Sequence, residues 1–230
     1  MDILMEIPPI TRAYVVACLG VNGAVQLGFL SPYHLYFNNK LIWEQKEVWR
    51  LATNFLYFGP MGLNFLFHFL FLYRYSRNLE EGSFRGRTAD FVFFFLFGMG
   101  ILTVAAFFVN IIFLGNALNL MFAYLWARRN PYIRMTFFGV INFQAPYLPY
   151  VLTGFSLALG SPVLVDVLGI VCGHLYYYLE DVFPNVEGGF KILHTPQFLK
   201  RLVDPAPLTE ETRPNEQGEG PGGFDWGDEE

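Results

Sequence analysis

Residues 91–127 form a run of 37 without one formally charged side chain. As a single helix this run would measure about 55 Å, nearly twice the hydrocarbon thickness of a bilayer. It therefore has to fold back on itself, and Asn110, Gly115 and Asn116 mark the turn. Residues 135–179 repeat the pattern: in this stretch of 45, Asp166 is the only formal charge, and Gly160-Ser161-Pro162 divides it in two. Charge-free runs of 18 and 23 residues also occupy 13–30 and 51–73, with Gly59-Pro60 setting the start of the second helix near Met61. The pattern predicts an all-α polytopic membrane protein with six transmembrane helices. Two of them, at roughly 113–127 and 163–179, would be about 22 to 26 Å long, short enough to thin the membrane locally.

Composition supports that reading. Charged residues make up 15% of the 230 and aromatic residues 19%, against about 25% charged in an ordinary soluble domain. That balance argues against a soluble enzyme. The net charge of −5 comes entirely from residues 184–230, whose many Pro, Gly and Glu residues predict a mostly disordered acidic tail behind a membrane domain at 1–183. No basic region suggests nucleic acid. Cys18 and Cys172 both lie in apolar stretches, so neither a disulfide framework nor a metal site is indicated, and no cofactor is implied. The acidic N-terminus, with Asp2 and Glu6, argues against a cleaved signal peptide.

When the spans are alternated, Arg12, Arg74, Arg77, Arg85, Arg87, Arg128, Arg129, Arg134, Lys191, Lys200, Arg201 and Arg213 fall on one side. Lys40, Lys46 and Arg50 fall on the other, so the basic-residue bias places both termini in the cytosol. The loop at 31–60 mixes aromatic, aliphatic and charged residues at helical spacing, which suits a segment lying in the lumenal interface.

Several residues stand out chemically. Trp49-Arg50 sets a cation beside an indole just before the second span, either as an ordinary aromatic-belt anchor or in a specialised role. Gly169 and Gly173 form a Gly-x-x-x-Gly in an apolar helix, which permits close approach of a neighbour. Asn142, Gln144, Asp166 and His174 add polarity within the spans, consistent with a water-accessible interior or with bonds between helices. Asp166 follows Pro162 closely enough to serve instead as a cap or an interfacial group. A serine-protease dyad would have to be Ser156 with His174, but no Gly-x-Ser-Gly start accompanies Ser156. A small-solute channel is a third reading, disfavoured because no inverted repeat is seen.

The motifs also resemble a family. Ile7 to Arg12, Trp49 to Phe55, the run Tyr73 to Asp90, Asn142 to Pro146 and Gly169 to His174 look like those of a Derlin, in order and spacing, over about residues 6–200. Derlins are rhomboid-like pseudoproteases of the endoplasmic reticulum membrane. The resemblance implies a six-helix rhomboid-like bundle that moves misfolded proteins toward the cytosol for ubiquitination and proteasomal degradation. By similarity to rhomboid proteases, Gly115 or Asn116 stands near the position of the nucleophile, and Asp166 stands where a catalytic His would precede Gly169 and Gly173. The resemblance implicates Trp49, Arg50, Gly169 and Gly173 in dislocation. It further implies as partners the bilayer, misfolded clients, a ubiquitin ligase complex, other Derlins in a homo- or hetero-oligomer, and a cytosolic hexameric AAA ATPase. The ATPase would be recruited through a C-terminal aromatic and Gly box, of which Phe224, Trp226 and Gly227 are present while no hydrophobic residue follows.

Overall fold

The computed structural model describes residues 6–137, 139, 141–186 and 189–203. Its framework is helical. Helix α1 (Pro9–Gln26) leads into a loop carrying the short helices α2 (Asn39–Glu44) and α3 (Arg50–Thr53). Then come α4 (Leu63–Asn78), α5 (Thr88–Phe108) and α6 (Gly115–Arg129). An antiparallel hairpin, β1 (Arg134–Phe137) and β2 (Ile141–Gln144), precedes α7 (Leu148–Ala158) and α8 (Val163–Tyr177). A short α9 (Gln197–Val203) ends the described chain. By length and composition, the helices over Thr88–Phe108 and Val163–Asn185 could each cross a membrane.

Helix α6 is the axis of the molecule. Of its 15 residues, Gly115 and all of 117–127 are buried. Phe122 meets Phe91, Phe94 and Phe95 of α5 at centroid distances of 5.6 to 6.2 Å. At its C-terminal end Arg129 makes a two-pronged bond to Asp181, Nε to Oδ2 at 2.8 Å and Nη2 to Oδ1 at 2.9 Å, where the helix dipole also favours a cation.

Helix α1 begins at Pro9, which gives up an amide that no helix uses at that position. The next two amides have a distant partner. Glu80 accepts from Ile10 N at 3.0 Å, Thr11 N at 2.7 Å and Thr11 Oγ1 at 2.7 Å. A buried carboxylate thereby caps the N-terminus of α1 from the end of α4. Farther along, Asn22 Nδ2 donates to Leu56 O at 2.8 Å, Phe58 N donates to Asn22 Oδ1 at 3.3 Å, and Tyr14 Oη donates to Phe55 O at 2.8 Å. These three bonds seat the irregular segment before α4 against α1, satisfying backbone groups that no regular element pairs.

The hairpin corrects the expectation for residues 135–159. Rather than starting a span, residues 134–137 and 141–144 pair as strands in the register Arg134 with Gln144 and Thr136 with Asn142, and Gly139 between them has φ of 74°. That left-handed conformation suits glycine. Helix α7 is left with 11 residues, about 16 Å of rise. The longer helices α1, α4, α5, α6, α7 and α8 overlap the charge-free runs of the sequence. The acidic tail from 204 onward lies outside the described residues.

Glu80→Ala is expected to strand the α1 amides and to cost about 1–3 kcal/mol. Thermal unfolding of the purified protein in lipid nanodiscs should show a Tm lower by several degrees, since each kcal/mol is worth about 2–4 °C at this chain length.

Candidate functional site

The polar groups that the membrane-facing helices turn inward converge on one place. His68 of α4, Asn116 and Asn119 of α6, Ser156 of α7 and Asp166 of α8 line a single small cavity. Apolar walls from Phe67, Phe71, Leu152 and Phe155 complete it. Phe67 and Phe155 meet edge to face at 4.8 Å, closing the seam between α4 and α7. Asp166 is 3% exposed and Ser156 is equally buried. Asn119 Nδ2 donates to His68 O at 2.9 Å, tying α6 to α4 across the cavity wall.

Three of the four expected interior residues are not there. Asn142 and Gln144 lie exposed on β2, where Asn142 Oδ1 accepts from Thr136 Oγ1 at 2.6 Å. His174 is also exposed on α8, and its Nδ1 shares a 2.7 Å hydrogen bond with Tyr124 Oη. Its eight-residue separation from Asp166 turns it about 80° around the helix. Ser156 and His174 therefore form no dyad: the serine faces the cavity and the histidine is engaged by a tyrosine on α6. Among the residues that sequence reasoning passed over, Asn119 is the clearest. It stands three residues after Asn116 in α6, a spacing that places both on one helical face.

Gly115 and Asn116, which the resemblance sets near a nucleophile position, differ sharply. A Cβ on Gly115 would meet Phe55 O at 2.9 Å, leaving no room for a side chain. Asn116 projects into the cavity shared with Asp166.

Gly169 and Gly173 are where α8 reaches α6. A Cβ at 169 would stand 2.3 Å from Ala117 O, and one at 173 would stand 3.0 Å from Tyr124 Cβ and Cδ1. The Gly-x-x-x-Gly thus serves packing within this chain, with backbone against backbone at one of its two points. The same helix places Cys172 Sγ 3.5 Å from Met121 Sδ, deep in the contact.

Trp49 and Arg50 divide their labour. Trp49 is 50% exposed, whereas Arg50 is 3% exposed. Arg50 Nη1 donates to Tyr33 O at 2.8 Å and Tyr36 O at 3.1 Å, Nε donates to Glu47, and the guanidinium lies 4.9 Å from the Tyr36 ring centroid. One planar cation with five donors closes the loop at 31–50 on itself. Phe224, Trp226 and Gly227 lie outside the described residues.

A helical chain with apolar helices long enough to cross a bilayer, built around a central buried helix, is the class that the fold defines. The Der1-like family model matches residues 7–197. Derlin-2 of Oryza sativa subsp. japonica is 48% identical over 208 residues, covering 86% of this chain and 83% of the relative. Derlin-2.2 of Arabidopsis thaliana is 45% identical over 214 residues, 88% of this chain and 87% of the relative. A probable derlin-2 homolog of Dictyostelium discoideum is 40% identical over 210 residues, 88% and 82%. The chain belongs to the Der1-like family, that of the Derlins. That membership implies a role related to endoplasmic-reticulum-associated degradation.

Two substitutions test the geometry. Gly169→Ala, driven against a backbone carbonyl, should lower Tm more than Gly173→Ala, which meets a side chain, with a cost of about 1–3 kcal/mol for the former. Arg50→Lys cannot reproduce the planar fork and should open the loop, read as faster limited proteolysis between residues 31 and 50 than in the wild type.

Proposed function

We propose that this protein is a noncatalytic component of endoplasmic-reticulum-associated degradation that helps misfolded proteins pass from the endoplasmic reticulum to the cytosol. The observation that carries the reading is a set of buried polar side chains enclosed in part by a helix of only 11 residues, in a chain of the Derlin family. Even with the 3-10 turn Ala145–Tyr147 that runs into it, this segment spans only about 22 Å against the roughly 30 Å of an average hydrocarbon core, so lipid thins beside it. In thinned lipid a client's unpaired backbone groups cross a shorter apolar path, and each such group otherwise costs several kcal/mol.

In this reading α1, α4, α5, α6, α7 and α8 are the six spans, with both termini cytosolic as the distribution of basic residues requires. The loop at 31–60, stiffened by Arg50, lies in the lumenal leaflet and displays Trp49 and Trp43 at headgroup depth. The protein supplies a path and no chemistry: the Ser156 hydroxyl is bonded to no histidine, because His174 is held by Tyr124 and His68, which lines the same cavity, makes no hydrogen bond through Nε2. Force comes from a cytosolic AAA ATPase, since the sequence has no phosphate-binding loop. A ubiquitin ligase complex and further Derlin subunits complete the machinery, and an adaptor or a second Derlin stands in for the incomplete tail box.

Depletion of the protein should slow the decay of misfolded lumenal and membrane clients, and re-expression of the wild type should restore it. Gly169→Leu, expressed to the same level, should fail to restore it. Unchanged turnover of every client on depletion would refute the proposal, and cleavage of a transmembrane substrate by the purified protein would replace it with an intramembrane protease.

A further inference from the structure

Five buried polar atoms short of partners belong to residues lining the one cavity: His68 Nε2, Asn116 Oδ1 and Asn119 Oδ1 make no hydrogen bond, and Ser156 Oγ and Asp166 Oδ2 have no side-chain partner besides each other's residue. They come from four helices. Unpartnered buried polar atoms are few in native proteins, and each carries a desolvation cost of its own. Their concentration in one place points to an occupant that satisfies several at once.

The chemistry of the atoms defines that occupant. Four of the five are oxygens, and the Asn119 amide has its orientation set by donation from Nδ2 to His68 O, so its free atom is an acceptor. Asp166 brings the only carboxylate. Among the described residues no Lys or Arg lines the cavity, and His68 is the only other titratable group there; α6 and α7 contribute neutral side chains alone. The lining is therefore rich in acceptors, carries at most one negative charge and is walled by phenylalanine and leucine, where a charge interaction is little screened. A volume of about 20 Å³ has room for one water-sized particle. Peptides and lipid headgroups are too large, and a single carboxylate is too little charge for calcium, which takes six to eight oxygen ligands.

A route into the cavity is also present. Asn116 lines a second, wider cavity of about 430 Å³ formed with Asn64, Asn110, Gly160, Ser161 and Pro162. Those residues lie in the first turns of α4 and α6, in the connection between α5 and α6, and in the connection between α7 and α8. Asn64 Nδ2 donates to Ser161 Oγ at 3.3 Å across this vestibule.

We propose that the inner cavity is a binding site for one small monovalent cation, either a sodium ion held by the oxygens of Asp166, Asn116, Asn119 and Ser156 or a proton carried by Asp166. The cation enters from the vestibule past Asn116. A sodium ion held this way links α6, α7 and α8 through a common ligand, beside the seam where α4 and α7 meet through Phe67 and Phe155. Intramembrane carboxylates commonly mark such ion and proton sites. This inference does not rest on the client-handling role, because its test reads the purified protein alone.

Thermal unfolding of the full chain in nanodiscs tests it in two arms. In the first, sodium chloride replaces choline chloride at constant ionic strength; in the second, choline is kept and the pH is lowered from neutral to mildly acidic. A ligand that binds only the folded protein raises Tm with concentration, and a rise of about 3 °C or more is expected in one arm. A rise in the sodium arm identifies the ion, and a rise in the acid arm that survives His68→Gln identifies the proton on Asp166. Asp166→Asn should abolish the response. Ser156→Ala, a milder change, should raise the half-saturating sodium concentration about fivefold if sodium is the ligand. No Tm response in either arm, or an equal response in Asp166→Asn, overturns the proposal.

Discussion

Everything in this molecule is arranged around a helix that has no free face. Helix α6 buries glycine, alanine, leucine, asparagine and aromatic side chains all the way round, so neighbours must cover it on every side. The tightest neighbour is α8, which comes so close at Gly169 that any Cβ would strike the Ala117 carbonyl oxygen. In lipid, where apolar surface gains nothing by leaving the solvent, such backbone proximity and the dispersion it brings are what hold helices together. The cavity with Asp166, the seam at Phe67 and Phe155, and the cap on α1 are all positioned relative to that contact.

The loop before α4 shows a second mode of construction. Here the backbone is irregular and no ladder satisfies it, so side chains do the satisfying. Asn22 and Tyr14 of α1 hold residues 55 to 58 by hydrogen bonds to main-chain atoms, and Arg50 closes the preceding turns through two carbonyls. The residues that look most like anchors to a headgroup in fact split between an exposed indole and a buried guanidinium.

Much of this was legible in the sequence because absence of charge over long runs leaves little freedom. Helices, the reversal near Asn110 to Asn116 and the break at Gly160-Ser161-Pro162 all follow from it. The hairpin at 134–144 escaped because its apolar residues read as a continuation of the following span, although Gly139 among aromatic and β-branched residues is a recognised strand-turn signal. Losing that stretch to strands carried Asn142 and Gln144 out of the interior. His174 lies outside for a different reason: its distance along α8 suits a span, but its angle around the helix turns it away from Asp166. Asp166, by contrast, stands out in any reading, since a lone carboxylate in an apolar run has few places to go. The partners that gather around it, His68, Asn116, Asn119 and Ser156, are separated by up to 98 positions and no local pattern unites them.

The cap on α1 has a consequence for how the chain is made. The amides of Ile10 and Thr11 find their acceptor in Glu80, 70 and 69 residues later. During synthesis the first helix leaves the ribosome long before that carboxylate exists. Its leading turn must stay hydrated at the membrane surface until α4 has been delivered, and only then can it settle. The first two long helices of this protein are thus completed as a pair, and a chain stopped between them would hold its first helix with an open end.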